Sequence, residues 1–332
     1  MPSETRVEAG AARENRSRRV KSQILILVGV LLVVMITATV LKPRFLTYSN
    51  IMNVMTQNAM VVLTGSAAVL LMVSGNFDLS VGMVLSLTGV MHAFMSKNGI
   101  PTNGSIIIAT LIGTAFGLLN GVMVTKLNIP SVIASLGSMY IARGFAFIVA
   151  WVDGGANVVT GLPLDFEVLG RKMIAGVPLY LYVFLVIIAL CYFIFAQTNL
   201  GKQAFAIGSN RRAAVLSGIK VGKSILILYL LVGSLAGLAG VTVASRVGSG
   251  APAVGTGFEF DVIVAMVLGG TSIYGGEGSF LGMIVGALIV GFVGNLLNLM
   301  NIMFFYQIVV KGAILIVAVL MTQKVQEKLL AR

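Results

Sequence analysis

The chain has 332 residues, of which 58% are hydrophobic and 10% charged, where soluble globular domains carry roughly a quarter charged residues. That composition, with a mean hydropathy of +1.00, excludes a soluble enzyme or binding module and points to a multi-pass membrane protein. Lys and Arg number 23 against 11 Asp and Glu, a net charge of +12 that fits basic loops facing anionic lipid, and no basic patch interleaved with aromatics argues for nucleic acid. The single Cys191 excludes an intrachain disulfide, and the lone His92 has no second ligand at metal spacing.

Residues 1–23 carry Arg6, Arg13, Arg16, Arg18, Arg19 and Lys21 without apolar periodicity, and read as a disordered cytoplasmic tail. The apolar run from Ile24 to Leu41 has 18 residues, and at ~1.5 Å per residue it nearly crosses a ~30 Å hydrocarbon core. A signal peptide is the rival reading, but no small-x-small cleavage site follows and more apolar segments do, so a retained helix is expected. Those segments are 51–73, 80–96, 105–125, 131–151, 178–197, 225–246, 259–269, 279–299 and 302–322. The expected fold is all-α, with about ten transmembrane helices, a membrane-spanning domain over 24–322 and a second tail at 323–332. An even number of spans puts both termini on one side. Placing them in the cytoplasm assigns fifteen loop and tail cations inside and six outside, as the charge bias of membrane topology requires. Trp151, at the outer end of the fifth span and before Asp153, Asp165 and Glu167, fits an interfacial anchor.

The longest polar interruption, TNLGKQAFAIGSNRRAAVLSGIKVGKS from Thr198 to Ser224, holds Lys202, Arg211, Arg212, Lys220 and Lys223 and no acid. Within the cytoplasmic loop 198–223, Asn210 stands as an N-cap before RRAAVLSGI and Gly218 as a stop, which predicts a helix of two or three turns. Such a helix is a candidate docking surface. GIKVGKS, Gly218 to Ser224, falls short of a phosphate loop, because its first glycine is one residue too close and no strand precedes it. GGTSIYGGEGS, Gly269 to Ser279, lacks the Lys-Ser/Thr ending and reads as a tight glycine turn.

FDLSVGMVLS (77–86) and FDVIVAMVLG (260–269) share Phe, Asp, Val, Met, Val and Leu. They open spans five helices apart, and an odd offset gives the halves opposite orientation, so an inverted repeat is expected, with a path near the repeat interface; chance likeness of two apolar runs is the competing account. Asp78 and Asp261 precede those runs, where a carboxylate caps a helix or marks a moving joint. Arg143 and Lys311 lie well inside their spans. A bare cation there costs at least ~2.5 kcal/mol, so each must meet a wet cavity, the bundle interior or a carboxylate; Asp261 and Glu259 are the candidates for Lys311. Asp78, Asn120, Arg143, Asp261, Asn295 and Lys311 are the path or gate candidates. Among neutral groups, Asn58, Ser66, Asn120, Ser135, Ser138, Asn295 and Asn298 are available to a polyol, and nothing in the sequence ranks them.

From SGNFDLSVG onward the chain resembles the permease subunit of sugar ABC importers of the ribose, xylose and galactoside type. The pieces, in the family's order, are GNFDLSVG (75–82), LNG (119–121), IPSVIASLG (129–137), AIGSNRRAAVLSGI (206–219), LAGLAG (235–240), VLGGTSIYGGEGS (267–279) and QIVVKG (307–312), over about residues 45–322. Asn76 departs from the pattern, where many members have glycine. The resemblance implies a second permease copy, ATP-binding subunits on the cytoplasmic face that hold ATP and magnesium, an extracytoplasmic sugar-binding protein, and a bacterial inner membrane. It also implies an ATPase contact at Asn210, Arg211, Arg212, Ala213, Ala214, Gly218 and Ile219. No catalytic residue or metal site is expected. A branched-chain amino acid permease is the nearest rival within the class; a proton-driven carrier using Asp78, Arg143 and Lys311 as a relay is the rival outside it, and a non-transporting membrane scaffold would need none of these charges.

Overall fold

A computed structural model describes residues 24–155 and 157–330. Each expected span carries a helix: α1 (Ile24–Leu41), α2 (Tyr48–Val73), α3 (Val81–Lys97), α4 (Thr102–Thr125), α5 (Ser131–Val152), α7 (Leu179–Gln197), α10 (Val221–Val247), α11 (Phe258–Leu268), α12 (Phe280–Leu299) and α13 (Phe304–Leu330). Short elements fill the connections: α6 (Val168–Arg171), a two-residue hairpin of β1 (Met173–Ile174) with β2 (Val177–Pro178), then α8 (Asn199–Ser209) and α9 (Arg211–Leu216). Among the described residues seven helices have the length and apolar character to cross a membrane. α11 does not, since its 11 residues rise only about 16 Å. The backbone helix of α13 continues through 330, beyond the span expected to end at 322; the tail expected at 1–23 lies outside the described residues.

The core follows from side-chain size. From Ala59 onward α2 is apolar or small on all sides, and every residue from Asn58 to Val73 is buried, as expected of a helix without a polar face. α4 and α10 cross antiparallel on glycines at four-residue spacing: a Cβ on Gly113 would meet Gly233 O at 2.6 Å and Gly237 Cα at 2.7 Å. Small residues let backbones approach where lipid supplies no hydrophobic drive. α12 repeats that relation to α2, with Gly65 on Met283 and Gly291 on Asn58.

The packing pattern is that of two related halves. α3 packs on α4, α5 and α10, while α11 packs on α12, α13 and α2; α4 lies along α10 and α12 along α2. Exchanging α2 with α10, α3 with α11, α4 with α12 and α5 with α13 leaves this scheme unchanged, as an inverted repeat demands. The first matched stretch meets the segment just before the second, where Gly82 in the first turn of α3 abuts Gly255 O and Glu259 Oε2.

Candidate functional site

At one end of the bundle, α8 and α9 form the segment between α7 and α10. Asn210 Oδ1 accepts from Ala213 N at 3.0 Å, so the expected cap is present. Gly218 stops α9 at φ +80°, with Ile219 N donating to Ala214 O at 3.1 Å, a closure that needs a left-handed residue. α9 is shorter than the sequence reading held: six residues, because Ser217 already leaves the helix. The preceding α8 was not anticipated, although Gly201, Ala204 and Ile207 at three-residue spacing form its buried face. Arg211, Arg212 and Ala213 are exposed. So are Val215 (57%) and Leu216 (89%), two apolar side chains that the sequence reading passed over. Ala214 points inward at 3%, so it supports α9 rather than lining its free face.

Asp78 lies on the non-helical stretch between α2 and α3. It does not cap α3 directly; its Oδ1 accepts from Ser80 N at 2.8 Å and from Ser80 Oγ at 2.5 Å, a local turn that competes with helix. Asn120 of α4 donates from Nδ2 to both Asp78 oxygens at 3.3 Å and to Ser80 Oγ at 3.0 Å. Tyr229 OH of α10 donates to Phe77 O at 2.8 Å, and Phe77 N to Ser131 Oγ at 3.3 Å. Side chains from α5 and α10 thus satisfy backbone that cannot bond water in a bilayer, while Asn120 of α4 holds the Asp78–Ser80 turn. The structure therefore joins Asp78 and Asn120 in one site.

Asp261 and Lys311 form another. Lys311 Nζ donates to Asp261 Oδ2 at 2.9 Å and stands 2.7 Å from Oδ1. The carboxylate sits within the first turn of α11 instead of capping it, the cap position being Gly257. Glu259, the other candidate, is buried at the Gly82 contact instead. Arg143 pairs with no carboxylate among the described residues; it is exposed on α5, its guanidinium 6.0 Å from the Phe147 ring. Its repeat relation to Lys311 was legible and overlooked: RGFAFIVA (143–150) and KGAILIVA (311–318) share a cation followed by glycine, then Ile-Val-Ala. Asn295 is remote from these groups in partner, exchanging two amide hydrogen bonds with Asn50 at 2.8 and 2.9 Å.

A membrane bundle with an unwound joint at Asp78, an ion pair between Lys311 and Asp261 and an exposed capped helix at one end is that of a transport permease. The chain belongs to the family described as branched-chain amino acid transport system / permease component, whose model matches residues 50–319. It is 36% identical over 305 residues to the ribose import permease protein of Escherichia coli (strain K12), covering 90% of this chain and 93% of that one. It is 33% identical over 289 residues to the D-allose transport system permease protein of the same organism, covering 87% of each. Identity is 35% over 304 residues to an L-arabinose ABC transporter permease protein of Azospirillum brasilense, covering 90% of this chain and 86% of the relative. No solved structure gives a significant match.

Proposed function

We propose that this chain is the membrane-spanning subunit of an ATP-binding-cassette importer that carries a small neutral sugar or polyol into the bacterial cytoplasm. The observation that carries the reading is α9, a capped helix whose free face presents Arg211, Arg212, Val215 and Leu216, in a chain whose sequence lacks a phosphate loop. The ATP and magnesium then belong to a partner subunit, and α9 couples to it without catalysing. Relatives named for ribose, D-allose and L-arabinose favour sugar over the amino acids in the family's description. Uncharged cargo also agrees with the neutral donors and acceptors left on the spans.

In this reading the α8–α9 end and both termini face the cytoplasm, and an extracytoplasmic sugar-binding protein delivers cargo to the opposite end. Two copies pair in the membrane. Arg143, exposed on one copy, is then covered by the second or faces a wet path, since lipid contact at mid-span is costly. The deciding experiment reconstitutes the chain with its ATPase and binding-protein partners in vesicles and measures ATP-dependent uptake of labelled pentoses, hexoses and leucine. Uptake of sugar alone is expected; uptake of leucine alone overturns the substrate, and uptake driven by a proton gradient without ATP overturns the class.

A further inference from the structure

Three backbone segments cross at the end of α8, in direct backbone contact at Gly208, Val73 and Gly276. Gly208, the penultimate residue of α8, abuts Val73 O at the end of α2, and a Cβ there would stand 2.5 Å from Gly276 N in the glycine turn. Val73 O accepts from Gly276 N at 2.8 Å. On the other side of that bond, a Cβ on Gly275 would stand 2.8 Å from Gly75 N and 2.9 Å from Val73 O. Gly275 and Gly276 hold φ of +84° and +77°, a conformation open chiefly to glycine.

Each segment leads to a different part of the machine. Two residues beyond Gly208 is Asn210, the cap that starts α9. Beyond Val73 runs the joint that carries Asp78 into α3. Before Gly276 the turn leads back to α11, whose first turn holds Asp261 against Lys311. The docking helix therefore reaches the non-helical joint before α3 in one half and the glycine turn after α11 in the other through one crossing.

We propose that Gly208 is a positioning residue for transport, passing displacement of α9 to the joint before α3 and to the turn after α11 at once by direct backbone contact. This rests on the reading of α9 as the helix that an ATPase partner moves. Close-packed backbone transmits strain, and backbone atoms in contact have no rotamers with which to absorb it. A side chain at position 208 must part the three segments, because even its Cβ collides with Val73 O.

The test uses the full complex with its ATPase and binding-protein partners. Gly208→Ala and Gly208→Val are expected to keep ATPase co-purification and ATP hydrolysis, while sugar moved per ATP falls at least ~5-fold, the lower range of measured site-to-site coupling. Gly222→Ala, whose Cβ would meet only Thr125 at 3.8 Å, should leave that ratio unchanged. Hydrogen exchange on the unaltered complex supplies a second measurement that does not depend on how the variants fold. Trapping ATP should change exchange in 73–80 and 269–279 together. Normal transport by Gly208→Val, a parallel fall in hydrolysis and uptake, or an exchange change confined to one segment or absent from both overturns the proposal. Failure of the wild-type complex to take up sugar with ATP would instead remove the underlying reading.

Discussion

Lys311 and Asp261 neutralise each other between α13 and α11, and either charge left alone at the bilayer centre costs ~2.5–3.5 kcal/mol on insertion scales. Lys311→Met should therefore lower the melting temperature and the yield of folded protein. Adding Asp261→Asn should recover most of the loss, because the orphaned carboxylate goes with it. A single Lys311→Met variant as stable as wild type would show that the cation reaches water and needs no partner. Asn210 makes a smaller contribution of another kind: its side chain holds one otherwise free N–H of α9, worth ~1 kcal/mol. Asn210→Ala should reduce uptake with little change in bundle stability, and Asn210→Ser, which can cap as well, should restore it.

The isolated element α9 is too short to be helical in water, so it depends on its two caps and on Ala214 seated inward. That burial decides which substitutions test docking. Arg211→Glu with Arg212→Glu, or Leu216→Glu, changes only the free face and should abolish uptake and stimulated ATP hydrolysis while the fold persists; like charges set against each other in a protein interface cost several kcal/mol. Normal uptake by both variants would remove the coupling role. Ala214→Trp displaces α9 from its seat and disturbs the fold as well as the partner. The α4–α10 crossing makes the corresponding point inside the bilayer. Gly117, whose Cβ would fall on Tyr229 O, has no room for a side chain, and Gly117→Val should destabilise the bundle by ~1–3 kcal/mol or more, seen as a lower melting temperature in detergent.

For the whole molecule, the prediction is orientation. Cysteines introduced singly at positions 8, 160 and 210 should react with an impermeant reagent added outside intact cells only at 160, against the low background of buried Cys191. Labelling at 210 would invert the topology and put α9 out of reach of a cytoplasmic ATPase. The exchanged packing scheme relates the two halves as copies, but not identical ones. Asp261 stands on a formed helical turn with its cation, whereas Asp78, its sequence counterpart, stands on unwound backbone held by Asn120.

The sequence by itself determined the membrane class, the positions of ten helices and the Asn210 and Gly218 caps, because these are local: hydropathy over ~20 residues and turn chemistry over a few are fixed by neighbours along the chain. It also exposed the paired Phe-Asp stretches, since a repeat is a relation between letters. Only the tertiary structure decided that Lys311 meets Asp261 and not Glu259, that Asp78 and Asn120 share a site, and that Ala214 faces inward. Those outcomes depend on which residues separated by tens or hundreds of positions are brought within a few ångströms. The crossing at Gly208, Val73 and Gly276 is the furthest case: three glycine-bordered segments, each bland in sequence, become a joint only because close backbone packing stacks them in one place.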